Sequence, residues 1–198
     1  MPHFDALADE VNILYAASNR LTRASTPMEW LEAISGYARE QGATTGVLLY
    51  IETNADNYPE WAEIVAFWTA GPGQSAEVGA RFHLGDMSSF IALWAQMPDR
   101  PFFLPDAITN EKIGETARGL NALYNMQSMV VLPLNNNGRW IGFVMFTWSE
   151  ERYFDERDQR IFTAMIQQAA PVIDSMRLFD ESRERTARAG DSSTVADR

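Results

Sequence analysis

The sequence predicts an α+β fold in which helices pack on a central antiparallel sheet, because helix patterns open and close the chain and mostly strand patterns lie between them. The clearest strand pair lies in residues 129–148, where two apolar runs flank Asn137-Gly138. This pair tolerates the positive φ angles of a tight turn, so the segment is predicted to be a hairpin. Its second run is apolar at almost every position, and we expect that strand to be covered on both faces. One of the two faces of this strand can line a ligand cavity instead of ordinary core.

Two helices are predicted at the start of the chain. Over residues 4–21, apolar positions recur at alternating spacings of three and four, which is the a/d seam of a helix. Thr26-Pro27 then has the pattern of an N-cap followed by a first-turn proline, and Gly42 can end the second helix after about Gln41. The seam of the first helix comprises Phe4, Leu7, Val11, Leu14, Ser18 and Leu21.

Three strands are expected next, at residues 44–53, 61–70 and 80–84. In the first, strict alternation should place one set of side chains on each face of the sheet. Leu48 and Tyr50 form one set. The other set is Val47, Leu49 and Ile51.

The middle of the chain is less regular. Asp86 or Ser88 can cap a helix that reaches about Gln96, a proline-punctuated segment follows at 98–105, and a weaker helix is expected at 111–124. Because the first, second and last helices are the strongly amphipathic ones, we expect them to pack together on one sheet face. Residues 81–125 must then cover the other face.

Asp155 is the expected N-cap of the last helix, whose apolar stripe runs from Ile161 to Phe179. Pro171 lies inside this helix and removes one backbone hydrogen bond, so we expect a local kink. From Asp180 onward the sequence is polar and charged. We therefore predict one domain over residues 1–182 and a polar tail or linker over 183–198 that is helical at first and then disordered.

Composition excludes several classes of function. The 198 residues carry a formal net charge of -11, and 46% are apolar, which suffices for a core. An acidic chain without a long basic stretch is not expected to bind nucleic acid or anionic lipid. No apolar run approaches the length of a membrane span, and the N-terminus lacks the pattern of a signal peptide. The chain is therefore expected to be cytoplasmic.

The chain has no cysteine and only two histidines, His3 and His83. Without cysteine there are no disulfides, thiolate metal sites, thioether-linked cofactors or cysteine nucleophiles. A multi-histidine metal centre is not expected either. Glu150 and Glu151 are adjacent carboxylates, but we expect them in a solvated turn because neither base nor nucleophile lies beside them in the sequence. No catalytic constellation is recognisable, which argues against an enzyme.

In its order of motifs, the chain resembles the GAF domain family, the small-molecule sensor modules of many bacterial signalling proteins. Residues 130–134 give an apolar strand with Pro-Leu, and residues 140–144 follow the turn with Trp-Ile-Gly-Phe-Val, similar to the family's Ile-Gly-Val strand. Phe154 and Asp158 match a Phe-x-x-x-Asp helix start. The resemblance covers roughly residues 5–180, and no single motif in it is specific.

The resemblance implies a sheet of five or six antiparallel strands, a helix bundle on one side and a pocket under the variable middle segment on the other. It also implies a homodimer in which the terminal helices pair and connect to neighbouring domains. The seam of the first helix suits that role, although packing within the chain would explain it equally well.

The family's subtypes differ in their ligands. Members that attach a bilin use cysteine, so covalent attachment is excluded here, as is the cysteine chemistry of the methionine-sulfoxide reductase members. The Asn-Lys pair of cyclic-nucleotide members is interrupted by Glu111, and Gln159 replaces their glutamate. His83 is the one candidate haem ligand inside the domain, but a lone strand histidine is more often solvated, so haem is not expected. The cofactor is left unknown.

A pocket between the middle segment and the sheet would be lined by aromatic side chains with a few polar groups, which favours a flat or apolar ligand. The alternative is that these side chains simply fill the core and no ligand binds. Ser88 and Ser89 are expected to cap a helix rather than contact ligand. The candidate ligand-binding residues are Trp68, Phe82, Phe90, Trp94, Phe102, Phe103, Asp106, Tyr124, Met145 and Thr147.

The sequence therefore indicates a non-enzymatic sensory or regulatory domain. It would bind a small apolar or aromatic ligand and relay a signal through its terminal helices to an output domain. The alternative function is a ligand-free dimerisation or interaction module of a signalling protein.

Overall fold

The computed structural model describes residues 2–71, 76–87 and 98–194. Within them the helices are α1 (Pro2–Leu21), α2 (Pro27–Glu40), α3 (Glu115–Leu123) and α4 (Glu156–Thr194). The strands are β1 (Thr45–Thr53), β2 (Pro59–Thr69), β3 (Arg81–His83), β4 (Phe102–Leu104), β5 (Ser128–Asn136) and β6 (Arg139–Trp148). The six strands form one antiparallel sheet in the order β3-β2-β1-β6-β5-β4. The predicted α+β fold is confirmed.

The predicted hairpin is the pairing of β5 with β6. Its register runs from Ser128 opposite Trp148 to Asn136 opposite Arg139. Asn137 and Gly138 both adopt positive φ, 52° and 80°, as the Asn-Gly pair predicts for a tight turn that follows the strand twist.

Alternation along the strands divides the sheet into two faces, as predicted. One face packs against α2 and α4, on which α1 packs in turn, and is called the helix face; Leu48, Val130 and Val144 lie on it. The other, called the loop face, carries Val47 and Val131. Because side chains of a strand alternate, β1 and β6 contribute to both cores.

Helix α2 is held to the sheet by a fully buried stripe that includes Trp30, Leu31 and Ile34. Its start is the predicted one. The Thr26 side chain accepts a hydrogen bond from the Glu29 backbone N–H, and the Glu29 carboxylate accepts one from the Thr26 backbone N–H. This reciprocal capping box satisfies donors that the first turn would otherwise leave unpaired.

The predicted seam of α1 does not face a single partner. Leu21 is buried in the helix-side core and Leu14 packs against it, whereas Leu7 and Val11 are exposed by 55% and 58%. Leu7 and Val11 therefore form an exposed apolar surface.

Strand β4 is the element that sequence reasoning missed. Pro101 and Pro105 bracket it, and we predicted only a proline-punctuated segment there. Among the described strands, β4 lies at the edge of the sheet and pairs with β5. Prolines at the ends of an edge strand remove no ladder hydrogen bond from the sheet interior.

Helix α4 begins with the predicted N-cap. The Asp155 carboxylate accepts from the Asp158 backbone N–H at 2.8 Å, and Asp158 accepts in return from the Asp155 N–H at 3.2 Å. The helix passes through Pro171 and continues to Thr194, across most of the segment predicted as a tail. The kink and the division of the chain at residue 182 stay predictions. Among the described helices, none has the length and apolarity that crossing a membrane requires.

Candidate functional site on the loop face

A row of apolar side chains crosses the loop face. Strand register places Phe67 beside Val47, then Met145, Val131 and Phe102, across five neighbouring strands. Val47 and Val131 in this row are buried, but Phe67, Met145 and Phe102 are only half-buried. The row therefore has a flat apolar surface that is not fully covered by the described residues.

The next row along the same face is polar on three neighbouring strands and continues with the buried Met129 and Leu104. Thr69, Thr45 and Thr147 are neighbours on β2, β1 and β6. The Thr45 and Thr147 hydroxyls lie 2.5 Å apart, and Thr147 is 1% exposed. A hydroxyl can both donate and accept, so this pair can turn one lone pair or one proton toward a bound polar group. The described sheet residues of the two rows carry no charge.

The segment between β4 and β5 is fixed firmly over the sheet. Ala107, Ile113 and Ala117 are buried against the loop face. The buried Asn121 side chain donates to the Ala107 carbonyl at 2.7 Å, and the Ala107 N–H donates to the Gln127 carbonyl at 2.7 Å. This part of the cover is a packed, hydrogen-bonded unit.

Asp106 stabilises its own loop. Its carboxylate accepts from the backbone N–H groups of Ile108 and Thr109 and from the Thr109 hydroxyl. The Thr109 hydroxyl and backbone N–H hold the pKa of Asp106 below its usual range. A carboxylate engaged in this way is an Asx-type turn residue, and its oxygens are already used within the loop.

The candidate residues do not lie together in the structure. Trp68 and Phe103 lie on the helix face, whereas both were predicted to line a pocket between the middle segment and the other face. The Trp68 indole N–H donates to the buried Ser35 hydroxyl at 2.8 Å, and the Phe103 ring lies 5.2 Å from that of Phe154. Sequence alternation alone could not reveal this, because each strand presents an apolar set to both faces.

Of the other candidates, Phe82, Phe102 and Met145 pack on the loop face with Thr147 beside them. Tyr124 is 48% exposed just beyond α3. Phe90 and Trp94, with Ser88 and Ser89 and the helix predicted to about Gln96, lie outside the described residues. The assignment of any of these side chains to ligand binding stays a prediction.

His83 is an exposed residue of the edge strand β3. Its ring meets that of Trp61 edge-on at 5.0 Å between centroids, and its Nδ1 accepts a hydrogen bond from the Gly85 N–H. It projects to the face opposite Phe82, as the alternation predicted. In the described parts of the chain, His, Asp and Glu side chains do not gather into a group that could hold a metal ion.

A buried polar network that sequence reasoning missed lies where α4 begins. The Tyr37 hydroxyl donates to Asp158 at 2.7 Å, and Arg152 donates to both oxygens of the same carboxylate, at 2.8 and 3.1 Å. Burial, followed by the hydrogen bond to Asp158, raises the pKa of Tyr37 well above its usual range. Phe154 packs edge-on against Trp148 beside this network. The spacing of Phe154 and Asp158 thus serves to anchor the helix.

Farther along, α4 is tied to the hairpin. The buried Asp174 pairs with Arg139 and accepts from the Asn136 side chain at 2.8 Å, so it holds the residues on both sides of the turn. One turn later, Arg177 donates to the Ile141 carbonyl at 2.9 Å and lies over the Tyr50 ring. We call these contacts the α4 clamp. It connects the last helix to β6, the strand that carries Met145.

Comparisons with known proteins agree on one fold. The family model for the GAF domain matches residues 24–174. The chain is similar to the phycocyanobilin-bound GAF domain of a cyanobacterial phytochrome, at 14% identity over 85% of this chain and 96% of that one, with a TM-score of 0.66. It is similar to the GAF domain of a phosphoenolpyruvate-protein phosphotransferase from Coxiella burnetii, at 17% identity over 87% of this chain and 96% of that one, again with a TM-score of 0.66.

The chromophore-binding domain of a bacteriophytochrome from R. palustris matches with a TM-score of 0.67 and 12% identity, over 88% of this chain, which spans 63% of that one. No curated protein matches the sequence. At sequence identities of 12%, 14% and 17%, the similarity to these solved structures shows that the chain shares their fold.

Proposed function

This chain belongs to the GAF domain family, a sensory and regulatory fold of signalling proteins, and we propose that it binds a small, uncharged, mainly apolar molecule on the loop face. The observation that carries this proposal is the pair of neighbouring rows, one apolar and half-buried, the other a threonine pair. Apolar walls with a few placed polar groups are typical of small-molecule sites.

The two rows carry no charge, and this limits the class of ligand that they can bind. An anionic group over this surface would lose its hydration without gaining a counter-charge from the described rows, which is costly in an apolar site. The bilin bound by the phytochrome neighbour is therefore not transferred to this chain, which also has no cysteine for covalent attachment. A neutral aromatic molecule with one hydroxyl or carbonyl fits both rows.

The proposal is tested by comparing the mass of the native protein with that of the denatured protein, where an excess in the native mass indicates a retained ligand. A titration with the neutral dye Nile red follows. We expect retained excess mass or saturable dye fluorescence in the parent protein, and its loss in Met145→Trp, which fills the row. Tyr153→Trp is the matched control, since Tyr153 is 84% exposed and away from the row. The proposal would be contradicted if the parent protein showed neither retained mass nor dye fluorescence. It would also be contradicted if both variants gave equal signals while their unfolding midpoints matched that of the parent.

We propose that the terminal helices pair in a homodimer and relay the signal to an output domain. Leu7, Val11 and Tyr15 are spaced by four on α1 and are exposed by 55%, 58% and 68%, and Leu178 and Phe179 are exposed on α4. Residues at this spacing form one helix face, and apolar faces of this kind pair in symmetric dimers. Sedimentation should show a dimer for the parent and a monomer for Val11→Glu, with Asn12→Glu as the control.

The firmly packed cover also favours a second candidate function, a ligand-free dimerisation module. Leu104, Ala107 and Val131 are buried to 1% exposure or less. A dimer that sediments normally but shows neither retained mass nor dye binding would support this function instead. GAF domains are generally regulatory rather than catalytic, and we propose no catalytic activity for this chain.

A further inference from the structure

A groove of about 490 Å³ lies between the end of α1, the connection that follows it, and α2. It is on the helix side of the sheet, away from the loop face and its candidate residues. Two alanines, Ala24 and Ala33, form part of its wall. The rest of the wall consists of three arginines, two glutamates and one glycine: Arg20, Arg23, Arg39, Glu29, Glu32 and Gly36.

The arginines of the groove carry positive charge that the described residues neutralise only in part. In the described part of the chain, no acidic side chain forms a salt bridge with Arg20 or Arg23. Arg39 lies 4.1 Å above the Trp68 ring and 3.9 Å from Glu32 across an exposed surface, where an ion pair contributes little. Stacking on a buried ring orients the Arg39 guanidinium at the groove wall.

Glu29 is negatively charged, but its carboxylate accepts hydrogen bonds at the start of α2 and forms no salt bridge with a described arginine of the groove. One oxygen accepts from the Ser25 backbone N–H at 2.7 Å, the Ser25 hydroxyl at 3.0 Å and the Thr26 N–H at 3.2 Å. These hydrogen bonds, led by the one from the Ser25 N–H, hold the pKa of Glu29 below its usual range. The carboxylate is thereby held against the backbone of the connection.

The glycine of the groove lets a guanidinium approach α2 closely. A Cβ on Gly36 would lie 3.1 Å from Arg20 Nη1. A smaller cavity of about 50 Å³ shares Arg20, Ala33 and Gly36 and extends to Met165 of α4. The groove therefore offers charged donors at its mouth and small apolar residues toward the helix core.

We propose that this groove binds the phosphate group of a small molecule. Guanidinium groups present paired N–H donors that match phosphate oxygens bidentately, and three of them suit a doubly charged group. In a chain with net charge -11, such a local positive site also concentrates anions that the remaining surface repels. The site is independent of the loop-face ligand proposed above.

The test is a titration of the full chain with inorganic phosphate at constant ionic strength, in which binding is measured from the NMR shifts of the backbone amides of residues 20–39. We expect saturable binding in the parent protein, at least about tenfold weaker binding in the double variant Arg20→Gln/Arg23→Gln, and parent-like binding in Arg100→Gln, an exposed arginine outside the groove. Gly36→Ala should weaken binding while α2 remains folded.

A competing explanation is that Arg20 and Arg23 only stabilise the carboxyl end of α1 through its dipole. In that case the double variant would unfold at a lower urea concentration than the parent protein but would bind phosphate with the same affinity. That result, or the absence of saturation in the parent, or an equal response to chloride at matched ionic strength, would overturn the proposal. Unfolding midpoints measured on every variant separate a lost site from a lost fold.

Discussion

The two faces of the sheet are made by alternate residues of the same strands, yet they are closed in different ways. On the helix face, Phe146 is fully buried and meets Phe162 of α4 at 6.2 Å between ring centroids. On the loop face, the adjacent Met145 and the facing Phe67 are only half-buried. Long helices complete one core, whereas the described residues of the middle segment leave part of the other uncovered. We therefore expect the stability of the domain to depend more on the helix face than on the loop face.

The largest effect should come from changing neighbours on β6 that point to opposite faces. We expect Phe146→Ala to lower the free energy of unfolding by about 3–5 kcal/mol, because a fully buried aromatic side chain leaves a cavity. Met145→Ala should cost only about 1–2 kcal/mol, since that side chain is half-buried. Urea denaturation followed by circular dichroism measures both. Equal losses would remove the distinction between the faces.

The network at the start of α4 tests whether the helix face depends on polar anchoring as well as on packing. Asp158→Ala should cost about 3 kcal/mol, because it leaves the mostly buried Arg152 without its carboxylate partner. Tyr37→Phe, which removes only the hydroxyl donor, should cost about 1 kcal/mol. Urea unfolding of both variants gives the two values. A loss for Asp158→Ala no greater than that for Tyr37→Phe would mean that Arg152 finds solvent or another acceptor.

Close packing on the helix face can be probed at a glycine. A Cβ at Gly46 would lie 2.4 Å from Trp68 Nε1, so Gly46→Ala should displace the indole, with an expected cost of about 1–3 kcal/mol. Tryptophan fluorescence should change together with the unfolding midpoint. Gly71→Ala is the control, because nothing lies within 4 Å of a Cβ there. An unshifted emission spectrum for Gly46→Ala would show that the ring is loosely held.

The α4 clamp joins the faces, since α4 packs on one of them and β6 carries residues of both. Asp174→Ala should cost about 1–2 kcal/mol, because Arg139 is largely exposed and can turn to water. Amide exchange in the hairpin should rise more than exchange in β2. Uniform changes across the sheet would mean that the clamp does not couple α4 to the hairpin.

The smallest effect concerns the contact between α1 and α4. A hydrogen bond from Arg160 holds the pKa of Glu10 below its ordinary value of 4.5. The stability that this pair contributes is therefore present above that value and is lost as the pH falls through the lowered pKa. The difference in unfolding midpoint between the parent and Arg160→Met should shrink as the pH is lowered. A difference that is constant with pH would show that Glu10 is not the titrating partner.

The sequence by itself determined the local elements. Asn137-Gly138 encodes the hairpin turn, Thr26 and Glu29 encode the start of α2, and Asp155 begins α4, because these depend on backbone conformations and hydrogen bonds within a few residues. The sequence also indicated the fold, since three amphipathic helices around an apolar sheet leave few arrangements.

Only the tertiary structure decided which side each apolar residue faces. In strands that are apolar on both faces, periodicity gives two sets without saying which set meets the helices, so Trp68 and Phe103 were assigned to the wrong side. The partners of Asp158 and Asp174 lie far from them in sequence, as Tyr37 and Arg139 show. Such contacts depend on how whole elements pack, and residue spacing along one chain carries no record of that packing.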